Sequence, residues 1–194
     1  MSLAQPDHGV LRKAQRGDER AFSIIVRAYQ IPVYNYVLRM VGDRSLAEDL
    51  TQEVFLRVFQ GLPSFSLRSR FTTWLFQVTK NRVLDELRAI ERRPRALVSL
   101  EDVPPLEVVD APVERNETIQ AVWRAVEALN PDLKMALLLR DVVGLSYTEI
   151  AESLEVTLAT VKWRIYKARE EVQLALQRDG LVGVAAPAVP ARSS

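Results

Sequence analysis

The chain has 194 residues, a hydrophobic content of 48% and a formal net charge of +1, values typical of one globular domain or two small ones. It contains no cysteine and one histidine, His8, so disulfides, thiol catalysis, zinc fingers and histidine acid–base chemistry are excluded or nearly so. No glycine-rich phosphate loop or nucleophile elbow occurs, which predicts a protein that is not an enzyme and binds no metal or other cofactor. Because no apolar run is long enough for a membrane span or a signal peptide, the expected location is the cytoplasm.

The N-terminal half has the 3.6-residue spacing of apolar side chains that is typical of helices. Residues 1–10 are expected to form a frayed tail. Pro32 lies inside the second predicted helix and indicates either one bent helix, which we favour, or a boundary near Gln30. A polar loop is expected over 64–70. Capping residues and apolar spacing place the helices at 10–16, 19–41, 44–61 and about 71–92.

Two charged surfaces are predicted on these helices. Glu48, Asp49, Gln52 and Glu53 lie together, because residues four apart are neighbours on a helix. Such a cluster is either a solvated face or the docking site of a cationic partner. Segment 57–95 holds nine Lys and Arg residues against three acids, which favours contact with a polyanion.

The C-terminal half begins after residues 94–112, where four prolines and several acids predict a flexible linker. Helices are expected over 113–129 and 131–143. Ser146–Arg169 then has the pattern of a helix-turn-helix. In this pattern Ser146 and Glu149 form a capping box on the first helix, and the turn 155–157 ends at Thr157, which caps the second helix.

The second helix of this motif has an apolar and a polar face. The face expected in the core consists of Leu158, Val161, Ile165, Ala168 and Val172. The opposite face and its flanks carry Ala159, Thr160, Lys162, Trp163, Arg164, Tyr166 and Lys167. An exposed indole at Trp163 is unusual without a partner, which favours a DNA-facing surface over a solvated one.

Four segments, in this order and spacing, resemble the bacterial extracytoplasmic-function (ECF) sigma factors of the RNA polymerase sigma-70 family, in particular the RpoE-like group. They are GDERAFSIIVRAYQIPVYNYV, AEDLTQEVFLRVF, SFSLRSRFTTWLFQVTKNRVLDELR and ALNPDLKMALLLRDVVGLSYTEIAESLEVTLATVKWRIYKAR, within about residues 10–178. The implied fold is all-α, with two small helical domains joined by a flexible acidic linker. The expected bounds are 10–94 for sigma region 2, 95–112 for the linker, 113–178 for sigma region 4, which contains the helix-turn-helix, and 179–194 for a disordered tail.

The resemblance implies a role for each surface. Members of the family bind core RNA polymerase, through its β′ and β subunits, and promoter DNA. The implied contacts with core polymerase are Glu48, Asp49, Gln52 and Glu53, on cationic helices of β′. The implied contacts with the minus-10 non-template strand, which includes a flipped base, are Phe65, Arg68, Arg70, Thr72, Lys80, Asn81 and Arg88. Those with the minus-35 element are Thr157, Ala159, Thr160, Lys162, Trp163, Arg164, Tyr166 and Lys167.

The recognition helix departs from the family pattern at two positions. Gly and Ser are common in the family where this chain has Ala159 and Trp163. The base preference usual in the family at the minus-35 element is therefore not carried over to this chain. The hypothesis is that Trp163 contacts a thymine methyl group or packs on a partner in the free state.

An anti-sigma factor is a further expected partner, because members of the family are commonly silenced by one that covers both DNA-binding faces. The acidic linker lies where the family threads an extended chain towards the RNA exit path, as a nucleic-acid mimic or as a plain tether. The alternative function is a conventional dimeric helix-turn-helix regulator, which needs no acidic docking helix, and a pull-down with core polymerase separates the two. A nuclease built on Glu48, Asp49 and Glu53 lacks an ordered base or phosphate clamp.

Overall fold

A computed structural model describes residues 3–92 and 117–181, and within these ranges all regular secondary structure is helical. The all-α prediction is therefore confirmed. The predicted linker 95–112 and nearly all of the predicted tail 179–194 lie outside the described residues. The α-helices are α1 (His8–Gln15), α2 (Glu19–Val41), α3 (Arg44–Gly61), α4 (Phe71–Arg92), α5 (Glu117–Glu127), α6 (Pro131–Asp141), α7 (Tyr147–Leu154) and α8 (Leu158–Arg178), and a short 3-10 helix (Leu62–Ser64) follows α3.

Helices α1–α4 form the N-terminal unit, whose core lies between α2, α3 and α4. The Asp18 carboxylate accepts a hydrogen bond from the Ala21 N–H at 3.0 Å and so caps α2. Gly42, with φ of 75°, ends the same helix in the left-handed conformation that glycine adopts without strain. The helix continues through Pro32, so the single-helix prediction is confirmed and the alternative boundary near Gln30 is wrong.

The segment before α1 is fixed in place, and the prediction of a frayed tail is wrong for residues 3–10. Asp7 caps α1 by accepting hydrogen bonds from the Gly9 and Val10 N–H groups at 2.7 and 3.2 Å. The Gln5 side-chain oxygen accepts the Phe71 N–H at 2.9 Å. The N-terminal segment therefore satisfies a backbone donor at the start of α4, a bond between residues far apart in sequence that apolar periodicity cannot reveal.

Helices α5–α8 form the C-terminal unit, and its helix boundaries differ slightly from the predicted ones. The predicted start of α5 at residue 113 lies outside the described residues. Helix α6 ends at Asp141, two residues before the predicted end at 143. The capping box of Ser146 and Glu149 is present on α7, and Thr157 caps α8, as predicted.

The apolar face of α8 is confirmed in its middle and wrong at its first residue. Val161, Ile165 and Ala168 are buried, and Val172 is partly buried. Leu158 is 39% exposed. Because side chains tilt towards the N-terminus of their helix, the first residue of α8 projects beyond the part that packs on the core.

The two units pack against each other at two places. Helix α7 lies on α4, and α6 lies on α2. The Arg39 guanidinium of α2 also lies 3.3 Å from the centre of the Trp123 ring of α5. Among the described helices, none combines the length and apolar character needed to cross a membrane.

Candidate nucleic-acid interface

The acidic cluster of α3 lies on the outer side of the N-terminal unit. Glu48, Asp49, Gln52 and Glu53 are all exposed, while Leu50, Val54 and Val58 on the opposite side of α3 are buried. The spacing of these residues therefore separates the two faces as predicted. The four side chains form one continuous polar surface.

Two of these acids already have cationic neighbours. The Arg82 guanidinium of α4 donates to Glu53 at 2.5 Å, and this hydrogen bond is the largest cause of the lowered pKa of Glu53. Arg44 lies 3.5 Å from Glu48 within α3. Asp49 has no ion pair within the described part of the chain. Asp49 and Gln52 are thus the members of the cluster best placed for an external partner.

A cavity of about 320 Å³ lies beside the loop that joins the 3-10 helix to α4. Trp74 forms one wall, with its ring centre 4.9 Å from that of Phe65. Ser66 and Arg70 supply polar groups, and the Thr73 hydroxyl is buried with no hydrogen-bond partner in the described residues. The cavity therefore combines an aromatic wall with polar side chains, and Glu152 of the C-terminal unit lines another side of it.

The residues predicted to contact the minus-10 strand fall into an exposed and a buried group. Arg68, Asn81 and Arg88 are exposed, and half of the Arg70 side chain is exposed. Three others are covered by protein, namely Phe65, Thr72 and Lys80, at 8%, 0% and 6% exposure. Phe65 packs among Phe71 and Trp74. Thr72 hydrogen-bonds to Gln5 of its own unit and to Glu149 of the other, and Lys80 donates to Glu155.

Glu149 of α7 connects the two units at the start of α4. Its Oε1 accepts hydrogen bonds from Arg70 Nε at 2.9 Å and from the Thr72 hydroxyl at 3.1 Å. Burial acts to raise the pKa of Glu149, but hydrogen bonds from Ser146, the charge of Arg70 and the Thr72 hydroxyl outweigh it, so this pKa is lowered. The carboxylate is therefore held ionised within the contact.

Two further residues of the C-terminal unit extend this contact along α4. Glu155 accepts hydrogen bonds from Lys80 Nζ at 2.9 Å and from Gln77 Nε2 at 3.1 Å. The hydrogen bond from Lys80 is the main cause of the lowered pKa of Glu155. The buried Ser153 hydroxyl donates to the Thr73 carbonyl at 3.0 Å. We call these five residues, with Arg70, Thr72 and Glu149, the α4–α7 contact.

Helix α8 presents its aromatic residues to solvent. Trp163 is 59% exposed and Tyr166 is 50% exposed. Two of the predicted cations are already paired, since Arg164 donates to Asp132 at 2.5 Å and Lys167 donates to Glu170 at 2.7 Å. The remaining predicted minus-35 residues are exposed or partly exposed, namely Thr157, Ala159, Thr160 and Lys162.

Comparison with known proteins identifies the family. Sigma-70 region 2 matches residues 25–93, and Sigma-70 region 4 matches residues 119–172. The RNA polymerase sigma-H factor of Pseudomonas aeruginosa is 34% identical over 187 residues, which cover 91% of this chain and 97% of that protein. The ECF RNA polymerase sigma-E factor of Escherichia coli has the same identity and coverage. The chain belongs to the ECF sigma factors of the sigma-70 family.

The fold of this ECF sigma factor agrees with that assignment. The sigma factor RpoE of Bartonella quintana, solved in complex with the anti-sigma factor NepR, aligns with a TM-score of 0.66 at 20% identity, over 81% of this chain and 98% of that one. An ECF sigma factor binds core RNA polymerase and directs promoter recognition and transcription initiation, so the alternative of a dimeric regulator is wrong.

Sequence reasoning did not find the α4–α7 contact in this sigma factor. Glu149 was assigned only to the capping box, which explains that residue locally. Ser153 has no predicted role, and Glu155 is predicted only as the first residue of the turn 155–157. A pairing between residues more than 70 positions apart leaves no periodic signal, although the clustering of acids on α7 opposite the basic α4 is a visible hint.

Proposed function

We propose that this sigma factor binds core polymerase through α3, the minus-10 strand through the start of α4 and the minus-35 element through α8. The domain bounds are those expected from the sequence, 10–94 and 113–178. The chain contributes no catalytic group and acts in the bacterial cytoplasm, where polymerase and chromosome meet. The observation that carries the minus-10 assignment is the cavity beside Trp74, which Ser66 and Arg70 also line.

Core binding rests on the exposed acidic cluster of α3. Cationic helices of the polymerase β′ subunit, the family's docking site, complement Glu48, Asp49 and Glu53 in charge. The test is a pull-down of core polymerase with Asp49→Lys, which should lose holoenzyme formation, because it places a cation against the cationic helices. Gln60→Lys adds a cation on the same helix outside the cluster and should bind normally.

The minus-10 assignment rests on the cavity. An unstacked base can stack on Trp74 while the Ser66 hydroxyl offers a hydrogen bond to its edge. The exposed Arg68, and Arg70 beside the cavity, supply charge for the strand's phosphates. In holoenzyme, Ser66→Ala should weaken open-complex formation, since alanine removes a hydroxyl that lines the cavity at an exposed loop position. Normal open-complex formation by this variant contradicts the assignment.

The minus-35 assignment rests on the exposed face of α8. Its N-terminal residues Ala159 and Thr160 can reach base edges in the major groove, while Lys162 reaches phosphate. Lys162→Ala should weaken minus-35 binding about equally for all sequences and reduce its dependence on salt. An effect confined to one base position contradicts the assignment of Lys162.

An anti-sigma factor is the proposed inhibitory partner. Support comes from the Bartonella quintana relative in fold, which was solved with one. Co-purification of the chain from its own cells, followed by mass spectrometry, tests this proposal. A bound protein that prevents holoenzyme formation is the expected result, and a chain that co-purifies only with core polymerase contradicts it.

A further inference from the structure

The α4–α7 contact occupies the cations that the proposed function assigns to single-stranded DNA. Arg70 and Lys80 each donate to a carboxylate of the C-terminal unit at 2.9 Å. A carboxylate and a phosphate offer the same acceptor chemistry to arginine and lysine. Glu149 and Glu155 therefore fill the positions that backbone phosphates would take on α4.

A DNA strand and the C-terminal unit cannot contact Lys80 and Thr72 of α4 at the same time, because both side chains are buried. The Lys80 side chain is only 7% exposed and Thr72 is fully buried, although both are predicted to contact the minus-10 strand. Both side chains hydrogen-bond to acids of the C-terminal unit, and no strand can reach them while α7 stays in place. Glu152 of α7 also lines the cavity beside Trp74, where its negative charge repels phosphate.

We propose that α7, the first helix of the helix-turn-helix, is an intramolecular inhibitor of the minus-10 surface in the free chain. In this closed form the acids of the C-terminal unit hold Arg70 and Lys80, and binding of a single strand requires α7 to leave α4. The inference rests on the proposed minus-10 function and adds its regulation. The measured affinity for single-stranded DNA is then the affinity of the open form reduced by the fraction of chains that are open.

The ion pairs of the α4–α7 contact are partly exposed to solvent. Each ion pair has one exposed and one buried partner, Arg70 at 53% with Glu149 at 4%, and Glu155 at 61% with Lys80 at 7%, so salt screens both pairs in part. The buried hydrogen bond from Ser153 to the Thr73 carbonyl adds a fixed register between α7 and α4. A polyanion that binds Arg70 and Lys80 must therefore replace two specific ion pairs.

Because the chain contains no cysteine, two introduced cysteines can be labelled with fluorophores, and energy transfer between them measures the closed form in the full chain. Gln60→Cys and Arg178→Cys place a fluorescent donor and acceptor at exposed positions on the two units, away from the contact. Glu149→Gln with Glu155→Gln removes both charges, and glutamine at position 149 can still serve in the capping box. Glu117→Gln with Glu171→Gln removes the same charge elsewhere in the C-terminal unit and is the matched control.

The expected result has two parts, measured with a labelled 15-nucleotide single strand of random sequence as the probe. The Glu149/Glu155 variant should show a changed energy transfer and bind the probe about fivefold more tightly, since two partly exposed ion pairs bias an equilibrium by about this factor. The control variant should keep the wild-type transfer. Energy transfer that is equal in wild type and the Glu149/Glu155 variant, at low and high salt, overturns the proposal.

Two further variants separate a wrong inference from misfolding and from a wrong function. Lys80→Glu alone should open the chain. Lys80→Glu combined with Glu155→Lys reverses the ion pair and should restore the wild-type energy transfer. Failure of this double variant to restore the transfer counts against the proposal. Arg68→Ala lies outside the contact and should weaken probe binding equally in the wild-type chain and in the Glu149/Glu155 variant. If Arg68→Ala leaves probe binding unchanged while the energy transfer still changes in the Glu149/Glu155 variant, the proposed minus-10 function is wrong but the closed form of the chain is supported.

Discussion

Arg70 and Ser146 bind the two oxygens of one carboxylate from opposite sides. Arg70 Nε donates to Glu149 Oε1 at 2.9 Å, and the Ser146 N–H donates to Glu149 Oε2 at 2.9 Å. The cap that starts α7 is therefore also the group that joins α7 to α4. A change at Glu149 acts on helix stability and on the packing of the two units together.

Replacing Glu149 separates these two contributions. Glu149→Ala removes the reciprocal cap and leaves the Thr72 hydroxyl in a buried site without its acceptor, so the free energy of unfolding should fall by about 2 kcal/mol. Glu149→Gln keeps an acceptor for Ser146 and should lose about half as much. Chemical denaturation of the full chain measures both. Glu152→Ala, an exposed position on the same helix, should stay within about 0.5 kcal/mol of wild type.

The lowered pKa of Glu149 predicts how its contribution depends on pH. Because the folded state holds this carboxylate ionised, the stabilisation is complete above its ordinary pKa of 4.5 and is lost as the pH falls through the lower folded-state pKa. The difference in unfolding free energy between wild type and Glu149→Gln should therefore shrink from about pH 5 to about pH 3. A difference that stays constant over this range contradicts the ion pair with Arg70.

The parts of this structure that were predictable from sequence are those that local rules determine. The capping box at Ser146, the cap at Thr157 and the buried Val161 and Ile165 follow from residue type and spacing alone. The exposed side of α3 follows from the same spacing. These features need no knowledge of what packs against the helix.

The features that were missed depend on contacts between distant segments. Gln5 satisfies the Phe71 N–H across 66 positions, so a segment without periodicity is ordered. Lys80 has the appearance of a surface cation in the sequence, yet it is buried and donates to Glu155 of the other unit. Residue type predicted the chemistry of these side chains, while their accessibility depends on how the two units pack.

The second place of packing between the units gives a prediction about Arg39. This guanidinium is buried against the Trp123 ring, and burial lowers its pKa to about 10 while the charge of Glu127 acts in the opposite direction. Trp123→Ala should lower the free energy of unfolding by about 2 kcal/mol, since it removes apolar area and leaves a buried charge without the ring.

Arg39→Met tests whether the stem or the charge of Arg39 matters more. Methionine keeps the apolar stem and removes the cost of burying a charge, so the change should stay below about 1 kcal/mol. The exposed Arg20→Met on the same helix is the control and should have no measurable effect. A large loss with Arg39→Met and none with Trp123→Ala contradicts the stacking arrangement. Thermal or denaturant unfolding of the full chain measures all three variants.

Trp163 gives the sharpest prediction about promoter choice. It is 59% exposed on the outer face of α8, so Trp163→Ser should change the free energy of unfolding by less than about 0.5 kcal/mol. If the indole contacts a thymine methyl group, the same variant should reduce discrimination at one minus-35 position by about tenfold in transcription assays with holoenzyme. Lys162→Ala is the matched control on the same face, because loss of a phosphate contact weakens all sequences alike. Unchanged selectivity with Trp163→Ser contradicts the base contact and leaves the indole to a protein partner.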